Sequence, residues 1–215
     1  MNLISCMSAN YVARQLNYQM TGGWSQGDTA TNLYFKPIKT FSQRFEELLK
    51  EIQGLGFDAL DLWLAHLNPS WATPDHLSIA QELLETYGLT VVSLAGGMGR
   101  TPEEMLAKIG DGGEGTIGTA VDTGWYGTQG YDATQAIRRL GPSVLHVHLK
   151  DVRAAGAHET CRFGDGIVPV RACLRVLAEI NYSGAISIEH EPESYNPDED
   201  LKASRELLEI WLNEL

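Results

Sequence analysis

The sequence has few basic residues and no long apolar run. Among its 215 residues, 16 are lysine or arginine and 28 are aspartate or glutamate, so the formal net charge is −12. A surface this acidic repels phosphate backbones, which argues against a nucleic-acid partner. No apolar stretch approaches the roughly 20 residues that a membrane-spanning helix needs, so no membrane partner is expected either.

Cysteine is scarce and widely spaced. The chain has three cysteines, Cys6, Cys161 and Cys173, and no CxxC pair. This pattern argues against both a disulfide framework and a zinc ribbon, and it predicts buried, reduced thiols. The opening segment MNLISCMSANYVARQLNY lacks the basic and apolar regions of a secretory signal peptide, so the predicted location is the cytoplasm.

Short apolar segments alternate with amphipathic ones along the chain. No linker or low-complexity segment interrupts this order, which predicts a single domain over residues 1–215. Strands are predicted at Leu3–Met7, Ala59–Leu64, Thr90–Ala95, Ile117–Asp122, Val144–Lys150 and Ala185–Glu189.

Helices are predicted where apolar residues recur at helical spacing. The clearest case is the segment 41–52, in which Phe41, Phe45, Leu48, Leu49 and Ile52 share one helical face. Another helix is predicted to begin at the capping sequence TPEE, residues 101–104. Three more are predicted over residues 132–140, 170–180 and 201–211.

Strands that alternate with helices pair in parallel, because each crossover helix returns the chain to the same end of the sheet. Six strand–helix units fit this chain. A closed (β/α) barrel has eight parallel strands and takes about 250 residues. The sequence therefore predicts an α/β fold of the TIM-barrel type that is incomplete, with about six parallel strands.

Three successive strands end in polar residues of the same orientation. Neighbouring side chains of a strand point to opposite faces, so His146 and His148 share one face of VLHVHLKD. Asp122 and Glu189 end the strands before and after it. Active sites of (β/α) barrels lie at the carboxyl ends of the strands. We therefore expect the side chains of Asp122, His148 and Glu189 to point toward the same end of the barrel.

An aspartate, a histidine and a glutamate form a mixed oxygen and nitrogen ligand set, which suits Mn²⁺, Mg²⁺, Co²⁺ or Zn²⁺. Each residue alone has a more ordinary explanation: an aspartate in a turn, a histidine satisfied in the core, a solvated glutamate at a strand end. Their equivalent positions in successive units favour a metal site over these three separate explanations.

Five segments resemble the sugar phosphate isomerase/epimerase family, whose members have the xylose isomerase-like TIM barrel. They are GFDALDLWLAHLNP (56–69), VDTGW (121–125), HVHLKD (146–151), the run from HET to GDG (158–166) and SIEHEPE (187–193). The segments follow the order of the family's strands, and the resemblance extends over most of the chain. It implies a xylose isomerase-like fold with a divalent metal ion in the active site.

The resemblance also implies roles for single residues. Asp122, His148 and Glu189 match metal ligands, and Glu189 also matches the catalytic base. Substrate-binding roles are implied for the residues His66, Lys150, Arg153, His158 and Trp125. Trp125 stands where several family members have a histidine, which argues against a second or third metal ion.

Relative to the family, the fourth and fifth strand–helix units are missing. The helix start TPEEML, which follows the fifth strand in the family, here comes soon after the third strand. The loss removes a glutamate that serves the family as a metal ligand and as the partner base. It also leaves unpaired strand edges near Leu94 and Val121, so we expect a homo-oligomer, an open sheet or marginal stability.

Together with the resemblance, these features predict a metal-dependent isomerase or epimerase, or a related dehydratase, with Glu189 as base. It would act on a sugar, a sugar phosphate or an inositol-derived hydroxy-ketone through an enediolate, so the expected partner is a small sugar or polyol. Two alternatives stay open: an inactive, truncated remnant that binds a sugar or metal, and an enzyme of the related metal-dependent endonuclease branch. The acidic charge and Trp125 argue against the second.

Overall fold

A computed structural model describes residues 2–94, 103 and 118–215, which form two compact units. The C-terminal unit contains the described residues of Met1–Leu3, Gly96–His190 and Ala203–Leu215. The N-terminal unit contains those of Ile4–Ala95 and Glu191–Lys202. The single domain expected over residues 1–215 stays a prediction.

Six parallel strands and one short antiparallel pair lie in the described residues, which confirms the predicted number of parallel strands. In chain order the strands are β1 (Ile4–Met7), β2 (Ala59–Leu62), β3 (Thr90–Leu94), β4 (Thr119–Asp122), β5 (Val144–Leu149), β6 (Asp151–Val152), β7 (Thr160–Cys161) and β8 (Ile186–Ile188). Strands β6 and β7 form the antiparallel pair.

The helices of the described residues follow most of the strands. They are α1 (Trp24–Phe35), α2 (Ile38–Gly54), α3 (Pro74–Tyr87), α4 (Thr123–Thr128), α5 (Ala133–Leu140), α6 (Val170–Glu179) and α7 (Asp198–Asn213). Short 3₁₀ turns occupy Ser8–Tyr11, Arg14–Leu16 and Gly141–Ser143. In this part of the chain no helix has both the length and the apolar character that crossing a membrane requires.

The N-terminal unit is built on β1, β2 and β3, which lie side by side in parallel. Cys6 pairs with Leu60, and Leu60 pairs with Val91. Helix α2 packs against α3, and the five apolar residues expected on one face of α2 are all buried. Helix α3 begins with a capping box in which Thr73 and His76 satisfy each other's backbone N–H groups.

The C-terminal unit is built on β4, β5 and β8, with β5 in the middle. Asp122 pairs with His148, and His148 pairs with Ser187. This register places the carboxyl ends of the three strands side by side. Asp132 caps the start of helix α5, as predicted: its carboxylate accepts a 2.8 Å hydrogen bond from the backbone N–H of Thr134.

The predicted elements agree with the described ones except at their ends. Each predicted strand is present in slightly shorter form, while Ala95, Ile117 and the predicted helix at 101–109 lie outside the described residues, apart from Glu103. The sequence reasoning missed α1, α3, α4 and the β6–β7 pair. Helix α1 was hard to predict because two of its three buried residues, Gly27 and Thr31, are not large apolar residues.

All three cysteines are buried free thiols, as the sequence predicts. Burial raises the pKa of Cys161 and of Cys173 to about 12. A thiol needs its deprotonated form to attack or to bind a metal, so these two groups are inert structural residues at neutral pH.

Asp151 organises the segment that follows β5. Its fully buried carboxylate accepts four backbone hydrogen bonds, from Val152 and Val168 at Oδ1 and from Gly164 and Gly166 at Oδ2, at 2.9–3.1 Å. Gly164 has a φ of +90°, and a Cβ at Gly166 would lie 2.2 Å from Asp151 Oδ1. The Gly-Asp-Gly turn therefore exists to let the backbone approach this carboxylate.

We expect Asp151→Asn to lower the free energy of unfolding by about 2–4 kcal/mol, because the amide group offers one acceptor oxygen and turns its NH₂ toward backbone donors. Urea unfolding followed by circular dichroism measures the change. Asp165→Asn is the matched control, since Asp165 lies in the same turn but is solvent-exposed and pairs with Arg162. Equal stability of the two variants would contradict the role of Asp151.

His66 is a buried polar residue in the core of the N-terminal unit. Only 1% of it is exposed, its ring centroid lies 5.0 Å from that of Phe35, and its Nδ1 lies 3.3 Å from Ser8 Oγ. Burial lowers the pKa of His66 to about 3. The imidazole is therefore neutral at physiological pH.

The low pKa of His66 makes stability depend on pH. The ordinary histidine pKa is about 6.5, so below pH 6.5 the unfolded chain binds a proton at His66 that the folded chain does not bind. The free energy of unfolding therefore decreases as the pH is lowered. Between pH 7 and pH 5 the expected loss from His66 is about 2 kcal/mol. Urea unfolding at both pH values should show a smaller loss of stability for His66→Gln than for the wild type. Equal losses in the two proteins would refute the low pKa of His66.

Candidate metal centre

Asp122, His148 and Glu189 converge in the C-terminal unit. Asp122 ends β4, His148 lies opposite it on β5, and Glu189 follows the last residue of β8. Each can offer one ligand atom, and the three atoms lie within 4.8 Å of one another. His148 and Glu189 are buried and Asp122 is half-buried. The strand register thus brings two carboxylates and an imidazole to one place.

The three residues are held by hydrogen bonds that fix their orientation. His148 Nδ1 lies 2.9 Å from Glu189 Oε2. Asp122 Oδ1 accepts hydrogen bonds from the backbone N–H groups of Gly124 at 2.9 Å and Trp125 at 3.1 Å, so Asp122 also caps α4. Burial raises the pKa of the Asp122 carboxyl, and the nearby Lys150 ammonium opposes that rise.

Lys150 lies between the two carboxylates. Its side chain is almost fully buried, and its Nζ lies 3.0 Å from Glu189 Oε1 and 3.2 Å from Asp122 Oδ2. The Thr123 hydroxyl accepts from Lys150 N at 2.9 Å and donates to Lys150 O at 2.8 Å. Gly124 leaves room for the lysine stem, since a Cβ there would lie 2.5 Å from it.

Trp125 and His158 form an aromatic pair above Lys150. Their ring centroids are 4.5 Å apart with an interplanar angle of 19°, and half of the Trp125 surface is exposed. Lys150 Nζ lies 5.5 Å from the Trp125 ring and 3.4 Å from His158 Nε2. Burial, together with the Lys150 charge, lowers the pKa of His158 to about 4. His158 is therefore a neutral hydrogen-bonding group at pH 7.

His146 supports the cluster from deeper in β5. Its Nε2 lies 3.2 Å from Ser187 Oγ, and its ring stands edge-on to that of His148 with centroids 5.0 Å apart. These contacts position His148 by packing.

Two of the expected substrate-binding residues lie apart from these contacts. Arg153 is half-exposed and pairs with Glu159 at 3.2 Å. His66 belongs to the N-terminal unit, in the buried position given above. The substrate-binding roles of His66, Lys150, Arg153, His158 and Trp125 all stay predictions.

The donor set fits a divalent cation. Two carboxylates and one imidazole supply oxygen and nitrogen ligands, and no cysteine takes part. Sequence reasoning missed the part played by Thr123 and Gly124, which hold Lys150 in place. The small Thr-Gly pair directly after Asp122 was the available signal, because a side chain that approaches a helix start closely needs a residue without Cβ there.

Solved structures with this fold include a xylose isomerase domain protein from Planctomyces limnophilus. It is 24% identical to this chain, the match covers 83% of this chain and 69% of that one, and the TM-score is 0.50. The IOLI protein, solved with a bound zinc atom, is 14% identical over 100% of this chain and 99% of its own, with a TM-score of 0.51. At these identities the likeness establishes the fold.

One curated protein, the uncharacterized protein MJ1311 of Methanocaldococcus jannaschii, is 29% identical over 143 residues. The match covers 63% of this chain and 47% of that protein, so the chain spans about half the length of this relative.

The family model described as xylose isomerase-like TIM barrel matches residues 58–214, which is most of the chain. This match includes every strand that carries a residue of the candidate metal centre. It also confirms the resemblance drawn from the sequence motifs and the predicted fold class, an incomplete TIM barrel with six parallel strands in the described residues. The chain belongs to the xylose isomerase-like TIM barrel family.

Proposed function

We propose that the chain is a divalent-cation-dependent isomerase or epimerase that acts on a sugar, a sugar phosphate or an inositol-derived hydroxy-ketone. The observation that carries the proposal is the convergence of Asp122, His148 and Glu189, whose ligand atoms lie within 4.8 Å of one another. The two carboxylates and the imidazole of this donor set supply the oxygen and nitrogen ligands that such a cation takes.

Asp122, His148 and Glu189 would hold the cation, which we propose to be Mn²⁺, Mg²⁺, Co²⁺ or Zn²⁺. Bound there, it would polarise neighbouring oxygens of a hydroxy-ketone and stabilise the negative charge of an enediolate. Each carboxylate has two oxygens. Asp122 and Glu189 can therefore each bind the cation through one oxygen and keep an existing polar contact at the other.

Glu189 is the proposed base. It is buried at the end of β8, and both of its oxygens are in polar contact, Oε1 with Lys150 and Oε2 with His148. A carboxylate that is shielded from water and held in one orientation is suited to remove a proton from the carbon beside a carbonyl. It can then return that proton to the neighbouring carbon, and transfer of the hydroxyl proton to the former carbonyl oxygen completes the isomerisation.

The remaining residues would bind and orient the substrate. The Lys150 ammonium can donate a hydrogen bond to a substrate oxygen that becomes negative. The half-exposed indole of Trp125 offers an apolar surface to the C–H groups of a sugar. Neutral His158 can accept or donate a hydrogen bond to a hydroxyl group.

We expect the purified protein to bind Mn²⁺ or Zn²⁺, and Asp122→Asn to weaken that binding at least tenfold, because the amide removes a charged ligand. Isothermal titration calorimetry of the metal-stripped protein measures the affinity. Asp132→Asn is the matched control, since Asp132 caps a helix in the same way but has no part in the cluster. Equal affinities of the two variants would exclude Asp122 as a ligand.

We expect the Mn²⁺-loaded protein to exchange the C–H proton beside the carbonyl of a ketose for deuterium in D₂O, observed by proton NMR. D-Fructose, D-tagatose and L-ribulose, each with its phosphorylated form, are the probes. Glu189→Gln should slow the exchange at least 100-fold, the lower range for loss of a general base. Glu179→Gln, which alters an exposed carboxylate, should leave it unchanged.

Each alternative function has its own outcome in these experiments. Cation binding without exchange on any probe would favour a binding remnant without activity. Binding to an abasic DNA duplex at physiological salt would favour the endonuclease branch, against the expectation from a net charge of −12. An unchanged exchange rate in Glu189→Gln would contradict the proposed base.

A further inference from the structure

We propose that Lys150 is a tethered counter-ion of the candidate metal centre: its ammonium neutralises Asp122 and Glu189 when no divalent cation is bound, and it thereby limits the affinity of the site for that cation. The inference rests on the proposed metal centre and concerns how that centre is regulated. It assigns Lys150 a role toward the cation in addition to the role toward the substrate that the resemblance implies.

The Lys150 ammonium occupies the place where a cation would meet the two carboxylates. Lys150 Nζ contacts one oxygen of Glu189 at 3.0 Å and one of Asp122 at 3.2 Å, and these are the two carboxylates of the three-residue ligand group. Two positive charges at such short range repel each other strongly in a buried site. A divalent cation that approaches the same carboxylates must therefore displace the ammonium or bind against its repulsion.

The fold holds Lys150 in this position. The Thr123 hydroxyl is hydrogen-bonded to both the N–H and the carbonyl of Lys150, which fixes the backbone from which the side chain extends. Gly124 gives the stem the space it needs. A surface lysine that happened to meet two carboxylates would be largely exposed, whereas this residue is 0% exposed.

Two aromatic rings border the ammonium and can receive it after displacement. His158 Nε2 lies 3.4 Å from Lys150 Nζ, and the Trp125 ring lies 5.5 Å away, so an uncharged surface already borders the ammonium on a third side. A cation that replaces the ammonium at the carboxylates leaves it beside these two rings. There it can meet a substrate oxygen, which couples cation binding to substrate binding.

The test is the affinity of the metal-stripped full-length chain for Mn²⁺, measured by calorimetry. Lys150→Met keeps the length of the stem and removes the charge, and we expect it to bind Mn²⁺ at least tenfold more tightly than the wild type. Lys150→Arg keeps the charge and should stay within threefold of the wild type. Lys50→Met makes the same change on an exposed helix residue that pairs with Glu46, and should leave the affinity unchanged.

A second experiment uses the wild-type chain, so its result does not depend on whether a variant folds. Mass spectrometry after brief treatment with acetic anhydride reports how accessible each lysine is. We expect acetylation of Lys150 to be slow without a cation and to accelerate at saturating Mn²⁺, while acetylation of Lys50 stays constant. Lys150 that remains equally protected at saturating Mn²⁺ would overturn the proposal.

The outcomes separate this proposal from the proposed function. Equal or weaker Mn²⁺ binding by Lys150→Met, with measurable binding by the wild type, would refute the counter-ion role and leave the metal centre intact. Absence of Mn²⁺ and Zn²⁺ binding in the wild type and in both Lys150 variants would refute the metal centre, and the counter-ion role with it. Binding by Lys150→Met alone would support both.

Discussion

The buried cluster of opposite charges at the ends of β4, β5 and β8 is the interaction on which the candidate site depends. Burial raises the pKa of the Asp122 carboxyl, which reflects the cost of a charge with little access to water. Such a charge is tolerated only where an opposite charge or a set of hydrogen bonds replaces the water. The Lys150 ammonium supplies that charge to both Asp122 and Glu189. The same physical requirement would give a divalent cation affinity for the candidate site.

Strand register delivers these charges to one place, and two backbone N–H groups hold Asp122 there. Asp122 pairs with His148 across two parallel strands, and Glu189 follows directly on the third. The chain next to β5 contains a second buried carboxylate, Asp151, which is satisfied by four backbone N–H groups. Adjacent residues of the same segment thus illustrate two solutions to charge burial. Lys150 lies between two carboxylates, whereas Asp151 is held by backbone N–H groups of the loop.

The strands and the convergence of Asp122, His148 and Glu189 could be predicted because both follow from a period of two and from parallel pairing. The surroundings of Lys150 could not. Strand alternation fixes the direction of its Cβ, but four further bonds decide where the ammonium lies, and those depend on Thr123 and Gly124 from another strand end. The role of Asp151 was hidden for a similar reason, because its partners lie as far as Val168 along the chain. Helix α1 escaped prediction since Gly27 and Thr31 bury small surfaces.

Within the proposed function, isomerisation requires fewer catalytic groups than epimerisation does. In the proposed reaction Glu189 removes a proton from the substrate, so the negative charge leaves the glutamate and appears on the substrate oxygen, which the Lys150 ammonium can meet. The site therefore moves a charge over a short distance without creating one, which keeps the electrostatic cost low in a buried environment. Epimerisation needs a second base on the opposite face of the substrate, whereas isomerisation needs one group that can reach two neighbouring carbons. In the proposed reaction Glu189, which follows β8 and contacts His148 and Lys150, would be that one group.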